Sequence, residues 1–454
     1  MKINKSIIKI VGLLGDFNKK SARIKYNQFI NNGYKRELIP ELNISKEEAE
    51  SKRFFKNTFY PEFRDMMYLG QTDSEEKRFS NNQSFIIGLD FESGEILTTY
   101  SLKIIKSEIY VFEGHIGLFS VSVEIIPNDN LLKSELTEGS KITVDDASNV
   151  TSKLRLFDTV IKYEGRDYVW SQWISEFILC GTELESKDGS IVKADEFSGS
   201  KFKLYTVYEL DDLPDNNLLF DLGTCSRLGS SAGIYSNAVP HASYYKRIMK
   251  KNKISVFQNW EALCLFDTFT CIGNGQILER SYVSWDETYF KIYLYRLFFK
   301  YNLYRYNSEI FEDKHSAIKV RDQFVDFLNR YEISHISFNF LPNEIYSKIG
   351  EALELEVELE KFKTRINNLS DKIQEERESK TNILLQIVTV LGGISSVGPI
   401  LDAVDHFKEQ IGFSSFVFYA ITTVLILLVG IGVLYFIVPH ELKKAWKKIK
   451  SIFR

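Results

Sequence analysis

The chain has 454 residues, enough for one large or two ordinary domains with ample core, and its formal net charge of −4 is too small to point to any partner; no direct nucleic-acid partner is expected. Its four cysteines, Cys180, Cys225, Cys264 and Cys271, form no CxxC and no zinc-ligand spacing, which excludes a sequence-evident metal knuckle and reads as small buried hydrophobes in a thiol-reducing compartment. Aromatic residues make up 14%, mostly Phe and Tyr, as suits β-rich packing.

The N-terminal run "MKINKSIIKIVGLLGDFNKK" is broken by Lys9 and lacks a cleavage site, so it predicts a first strand and not a signal peptide. Strand-length segments follow in "QSFIIGLDF", "EILTTYSLKII" and "SEIYVFEGHIGLFSVSVEII", with turn pairs such as Ser93-Gly94 between them. The stretch "VDDASNVTSKLRLFDTVIKY" opens with capping residues and predicts a helix at its start. Strands resume in "KFKLYTVYEL" and "KISVFQNWEALCLFDTFTCIG". Helices are predicted in "SWDETYFKIYLYRLFFKYNLYRYN" and "HSAIKVRDQFVDFLNRYEIS". Strands first and helices later argue for an α+β or mixed α/β domain.

From about Asn343 the pattern predicts one long helix. Leu355, Leu359, Phe362, Ile366, Leu369 and Ile373 recur at the spacing of a left-handed supercoil, which implies a partner within the domain or self-association. The helix is expected to run on into an apolar segment, 381–404, and a second one covers 416–438. At about 1.5 Å per residue each is long enough to cross a hydrocarbon core of about 30 Å. For the first, which holds Gln386, Gly392-Gly393 and Pro399, a buried helix is the alternative. The tail "PHELKKAWKKIKSIFR" is rich in lysine and is expected on the cytoplasmic side, lying along the inner surface, with both termini cytoplasmic.

Asn382, Gln386, Thr389, Gly393 and Ser396 fall on one helical face. In a ring of such helices they are expected to line a water path, with Asp402 and Asp405 as an outer carboxylate ring. Close helix approach through small and polar residues is the competing account of the stripe, and ordinary loop acids that of the carboxylates.

A large cytoplasmic domain, a stalk helix running into the first span, a short outer loop, a second span and a Lys-rich tail resemble the CorA family of divalent-cation transporters. The likeness covers Asn343 to Arg454 best. The family's Gly-Met-Asn signature is missing; Gly398-Pro399-Ile400 and Leu401-Asp402 stand in its place. The segments "ISVFQNWEALCLFDTFTCIG" and "HISFNFLPNEIYSKIGEALELEVELE" look similar to the divergent CorA-like membrane proteins of type III CRISPR systems. That resemblance implies a homo-oligomer (a pentamer in the family) in the inner membrane of a bacterium, acting in antiphage defence. It also implies gating by a nucleotide messenger, a conjugate of S-adenosylmethionine and AMP, with magnesium as a possible ion and the lipid bilayer as a partner. A constitutive magnesium transporter and a membrane-anchored cytoplasmic enzyme are the alternatives.

The expected organisation is therefore an α/β (α+β) cytoplasmic domain over 1–342, a stalk helix over 343–380, spans at 381–404 and 416–438 around an outer loop at 405–415, and a basic tail from 439 to 454. Six scattered histidines, with no HExxH, Walker loop or nucleophile elbow, give no catalytic constellation, so no enzyme is expected. The one Gly/Ser-rich stretch runs from Asp221 to Lys251. Its backbone N–H groups near Ser230 and Ser231 could face an anion, with Arg227, Lys246 and Arg247 nearby and Tyr235 and Tyr244 available to stack on a base. A surface loop followed by a basic helix is the plainer account of the same residues.

Overall fold

The computed structural model describes residues 1–16, 26–36, 57–68, 77–93, 96–112, 116–127, 142–181, 199–212, 215–235, 238–312 and 317–369, and after these only 371, 374, 375, 378, 379, 381, 382, 384, 385 and 423. The chain divides into two units, Met1–Lys363 and Thr364–Arg454. The sheet, its covering helices and the cleft described below belong to the first.

The strands are β1 (Ile3–Asp16), β2 (Lys35–Arg36), β3 (Lys77–Asn81), β4 (Phe85–Ser93), β5 (Ile96–Val111), β6 (Ile116–Ile126), β7 (Val160–Tyr163), β8 (Arg166–Val169), β9 (Lys203–Leu210), β10 (Lys253–Ile254), β11 (Trp260–Cys264) and β12 (Thr268–Gly273). They form one mixed sheet in the order β10-β11-β12-β9-β1-β6-β5-β4-β7-β8, with β3 on β5 and β2 on β3. Every pairing is antiparallel except β9 with β12, which run parallel.

β1 lies at the centre, between β9 and β6. Its Ile7, Ile8, Ile10, Val11, Leu13 and Leu14 are all buried, so both faces are covered and the strand reads as an apolar run, not an alternation. Gly12 is required by packing: a Cβ there would lie 2.3 Å from the Phe119 ring on β6. β4 shows the other pattern, with Ile87 and Leu89 buried and Ile86 exposed.

The main helices are α1 (Pro61–Tyr68), α2 (Val144–Leu154), α3 (Trp170–Trp173, continued by a π-helical turn to Ile178), α4 (Asn216–Thr224), α5 (Ala242–Asn252), α6 (Ile277–Val283), α7 (Phe290–Glu312), α8 (Ala317–Tyr331), α9 (Phe340–Ala352) and α10 (355–369). A π-helical stretch, Ser284–Tyr289, joins α6 to α7. α2 starts with a capping box in which the Thr143 side chain accepts from the Asp146 amide and Asp146 returns the bond. α7 packs its aromatic face inward: Phe298 stacks on Phe112 at 3.8 Å between centroids and meets Tyr331 at 5.1 Å. On α10, Leu355, Leu359 and Phe362 are buried, and Phe362 sits edge-on to Phe324 of α8 at 4.3 Å. The apolar seam is thus filled, at Phe362, from within the domain.

This is not the expected fold. The described residues form a twelve-stranded mixed sheet with helices, not a CorA-like body with two crossing helices, and among them no helix is long and apolar enough to cross a membrane. The longest of these, α7, has 23 residues, length enough to span, but Lys291, Arg296, Lys300, Arg305 and Glu309 interrupt it and it is a core helix. The expectations of a membrane protein, an ion channel and a multi-pass inner-membrane placement are corrected with the fold. The long stalk is corrected too: α9 ends at Ala352, and Glu354, at φ 56, separates it from α10. Segments 381–404 and 416–438 lie outside the described residues except for Thr381, Asn382, Leu384, Leu385 and Thr423. The outer loop and the tail also lie outside.

Candidate functional site

The parallel β9–β12 pair needs a long crossover, and the crossover carries α4, α5, β10 and β11. α4 begins at Asp215, whose carboxylate accepts from the Leu218 amide at 2.6 Å, and ends at Cys225 in the left-handed conformation. On its last turn Asp221 is 1% exposed. Its two carboxylate oxygens accept from the amides of Gly229 (2.8 Å) and Ser231 (3.0 Å). Burial raises the Asp221 carboxyl, and the hydrogen bonds from Ser231 and Gly229 oppose that rise.

The Gly/Ser-rich loop is therefore closed on an internal anion. Its amides at Gly229 and Ser231 are already taken, and the Ser231 hydroxyl donates to the Asn217 carbonyl at 3.1 Å. Ser230 is buried with its hydroxyl unpartnered. Arg227 lies over the Tyr235 ring at 3.9 Å, so these two expected ligand groups occupy each other. Lys246 is exposed on α5.

Tyr244 and Arg247, also on α5, do meet in a cleft. It has a volume of about 480 Å³ and is walled by Arg155 from the end of α2, Thr224 from α4, Tyr244, Arg247 and Lys251 from α5, Phe266 to Thr268 from the β11–β12 turn, and Glu354 from the α9–α10 joint. Most of its polar groups are engaged. The Thr268 hydroxyl donates to the Gly223 carbonyl, the Thr224 hydroxyl to the Phe220 carbonyl, and the Asn252 amide to the Cys264 carbonyl. Lys251 pairs with Glu354 at 2.7 Å. Asp267 pairs with Lys203, whose ammonium is only 1% exposed and lies 3.7 Å from the Phe266 ring centre. Burial lowers the Lys203 ammonium and Asp267 opposes that shift.

The two arginines differ. Arg155 has its Nε buried with no hydrogen-bond partner. Arg247 is exposed and stands 5.4 Å from the Tyr244 ring. One cleft is thus lined by two arginines and two aromatic side chains, Tyr244 and Phe266.

Arg155, Phe266, Asp267 and Glu354 are absent from the sequence-derived set. They come from three remote segments that only the sheet topology brings together. The one local signal was Asp267, an acid between two apolar runs, where a tight turn is expected. Of the pore-stripe residues, Asn382 is described and exposed; Gln386, Thr389, Gly393 and Ser396, with Asp402 and Asp405, lie outside the described residues.

A second group of charges is buried under the sheet. Lys9, Arg78, Lys106 and Lys291 meet Glu108, Asp286 and Glu287, with Lys9–Asp286 and Lys106–Glu108 each at 2.9 Å, Lys9–Glu108 at 3.7 Å, and Arg78 paired with Glu108 and Lys291 with Glu287. Burial pushes the Glu108 carboxyl up, but Lys106, Arg78, Lys9 and Lys291 together hold it well below the usual carboxylate range. Lys9, Arg78, Glu108 and Lys291 have side chains at most 2% exposed, so the cluster fastens the 284–291 segment to β1, β3 and β5, while Lys106, Asp286 and Glu287 at its rim are partly exposed. Among the described residues no group of three His, Cys, Asp or Glu side chains could hold a metal ion.

No family model, curated protein or solved structure matches the chain.

Proposed function

We propose that the Met1–Lys363 unit is the ligand-sensing part of a regulated effector, and that its cleft takes a small anionic ligand of the nucleotide type. The observation that carries this reading is the meeting of Arg155 and Arg247 in one cavity with Tyr244 and Phe266. Two arginines at one wall can give charge-assisted hydrogen bonds to a phosphate, the stronger class of such bonds. Rings at the same wall suit a nucleobase, because every base has a face to stack. The cavity, about 480 Å³, falls within the range of about 300–1,000 Å³ usual for small-molecule sites.

The resemblance drawn from the sequence supplies the first ligand to try, the S-adenosylmethionine–AMP conjugate. The test is calorimetric titration of the full chain with that conjugate, with AMP and with inorganic phosphate. Binding of the conjugate or AMP is expected, weakened about tenfold or more by Arg155→Ala. The reading fails if the wild-type chain binds neither the conjugate nor AMP more tightly than ~1 mM, or if Arg155→Ala leaves the affinity unchanged.

A further inference from the structure

We infer that the Lys251–Glu354 ion pair is a latch between the cleft and the α9–α10 joint: an anion bound beside Arg155 and Arg247 draws Lys251 away from Glu354, and the joint loosens. The inference rests on the anionic-ligand reading of the cleft.

Three features of the joint carry it. Glu354 is a non-glycine residue at φ 56, a conformation L side chains adopt only when their surroundings hold them there. Its carbonyl accepts from the Glu358 amide at 3.1 Å, so the backbone at Glu354 sets how α10 begins. The neighbouring Leu353 carbonyl is held by the Lys300 ammonium at 2.6 Å, and the same ammonium pairs with Glu358 at 2.6 Å. The joint is thus fastened on one side by a buried lysine, Lys300, and on the other by a cleft lysine, Lys251.

Only the second fastening faces the ligand. Lys251 lies one helical turn from Arg247 on α5, and both line the cleft with Glu354. A carboxylate and a bound anion compete for one ammonium, because close placement of like charges favours separating them. Exposed ion pairs are individually weak, so the coupling between ligand and joint is of the order of two- to fivefold in either direction. Reciprocity follows: removing the competing carboxylate tightens anion binding by the same factor.

Both side chains are about half exposed, 48% for Lys251 and 56% for Glu354, so replacing either leaves the core untouched. The experiment is hydrogen–deuterium exchange of the full chain over residues 350–358, with AMP as the probe. Lys251→Met without nucleotide should speed exchange there by about twofold or more, as should AMP in the wild type. Glu354→Gln should raise AMP affinity about two- to fivefold and abolish the AMP-induced change in exchange. If AMP binds the wild type yet exchange over 350–358 is unmoved by AMP and by Lys251→Met, and Glu354→Gln leaves affinity unchanged, the latch is wrong and the sensing function stands. If AMP and the conjugate both fail to bind, the sensing function falls and the ligand-driven half of the latch falls with it. The nucleotide-free exchange of Lys251→Met then shows separately whether the pair fastens the joint.

Discussion

Glu108→Gln isolates the buried charge cluster. The substitution keeps the shape of the side chain but leaves Lys9, Arg78 and Lys106 facing a neutral amide, where Glu108 had been within 3.7 Å of Lys9 and 2.9 Å of Lys106 and paired with Arg78. Breaking a buried network by removing one partner costs about 3–5 kcal/mol, a large part of the roughly 5–15 kcal/mol that holds a domain folded. Guanidinium unfolding followed by tryptophan fluorescence reads the right unit, since Trp170, Trp173, Trp260 and Trp285 are all buried in it. The acid limb gives a second measure. The folded Glu108 carboxyl titrates below its ordinary value of 4.5, so its contribution is complete above that pH and is lost as the pH falls towards the folded value. The wild type should therefore lose stability progressively below about pH 4.5, and Glu108→Gln should show a shallower decline from a lower plateau. A loss under ~1 kcal/mol, the size expected of an exposed pair, with an acid limb parallel to the wild type, would refute the assignment of the cluster as a desolvated fastening.

Gly12→Ala sets a methyl group against the Phe119 ring in the centre of the sheet and is expected to lose about 1–3 kcal/mol, measured by thermal unfolding. Phe362→Ala removes the ring that fills the seam against Phe324 and should lose about 3–5 kcal/mol in the same assay; a loss below ~1 kcal/mol would mean the seam does not depend on it. Asp221→Asn replaces two charge-assisted acceptors of the Gly229 and Ser231 amides by a single carbonyl oxygen. It should expose residues 227–235 to limited proteolysis, with an expected stability loss of about 1–3 kcal/mol, and an unchanged cleavage pattern would count against Asp221 as the holder of the loop.

Strands were the legible part. The alternation in "QSFIIGLDF" becomes β4 with Ile87 and Leu89 inward, and the apolar N-terminal run becomes β1. Lys9 looked like an interruption because its partners, Glu108 and Asp286, are far along the chain. The heptad pattern correctly marked Leu355, Leu359 and Phe362 as buried, yet it concealed the break before them. A left-handed residue is usually signalled by glycine or asparagine, and here it is Glu354, held by Lys251 and by the Lys300 bond to Leu353. The CorA-like expectation leaned on residues 343–454, so it could not foresee a large mixed sheet whose strands all lie before them. In the site, the basic and aromatic pattern of α5 pointed to Tyr244 and Arg247. The glycine loop misled because Asp221, eight residues ahead of Gly229, reads in the sequence as one more acid and in the structure as the loop's own anion.

The central place of β1 has a consequence for how the chain is made. Ile8 must pair with Val123 on one side and with Thr206 on the other. At roughly 5–20 residues per second, a ribosome takes on the order of ten seconds or more to supply the second partner. During that interval the nascent chain presents a long apolar strand with at least one unsatisfied edge, the kind of surface that pairs with the wrong neighbour. Chaperone cover should therefore raise the yield of folded protein, slower synthesis should lower it, and chains stopped before β9 should aggregate instead of folding.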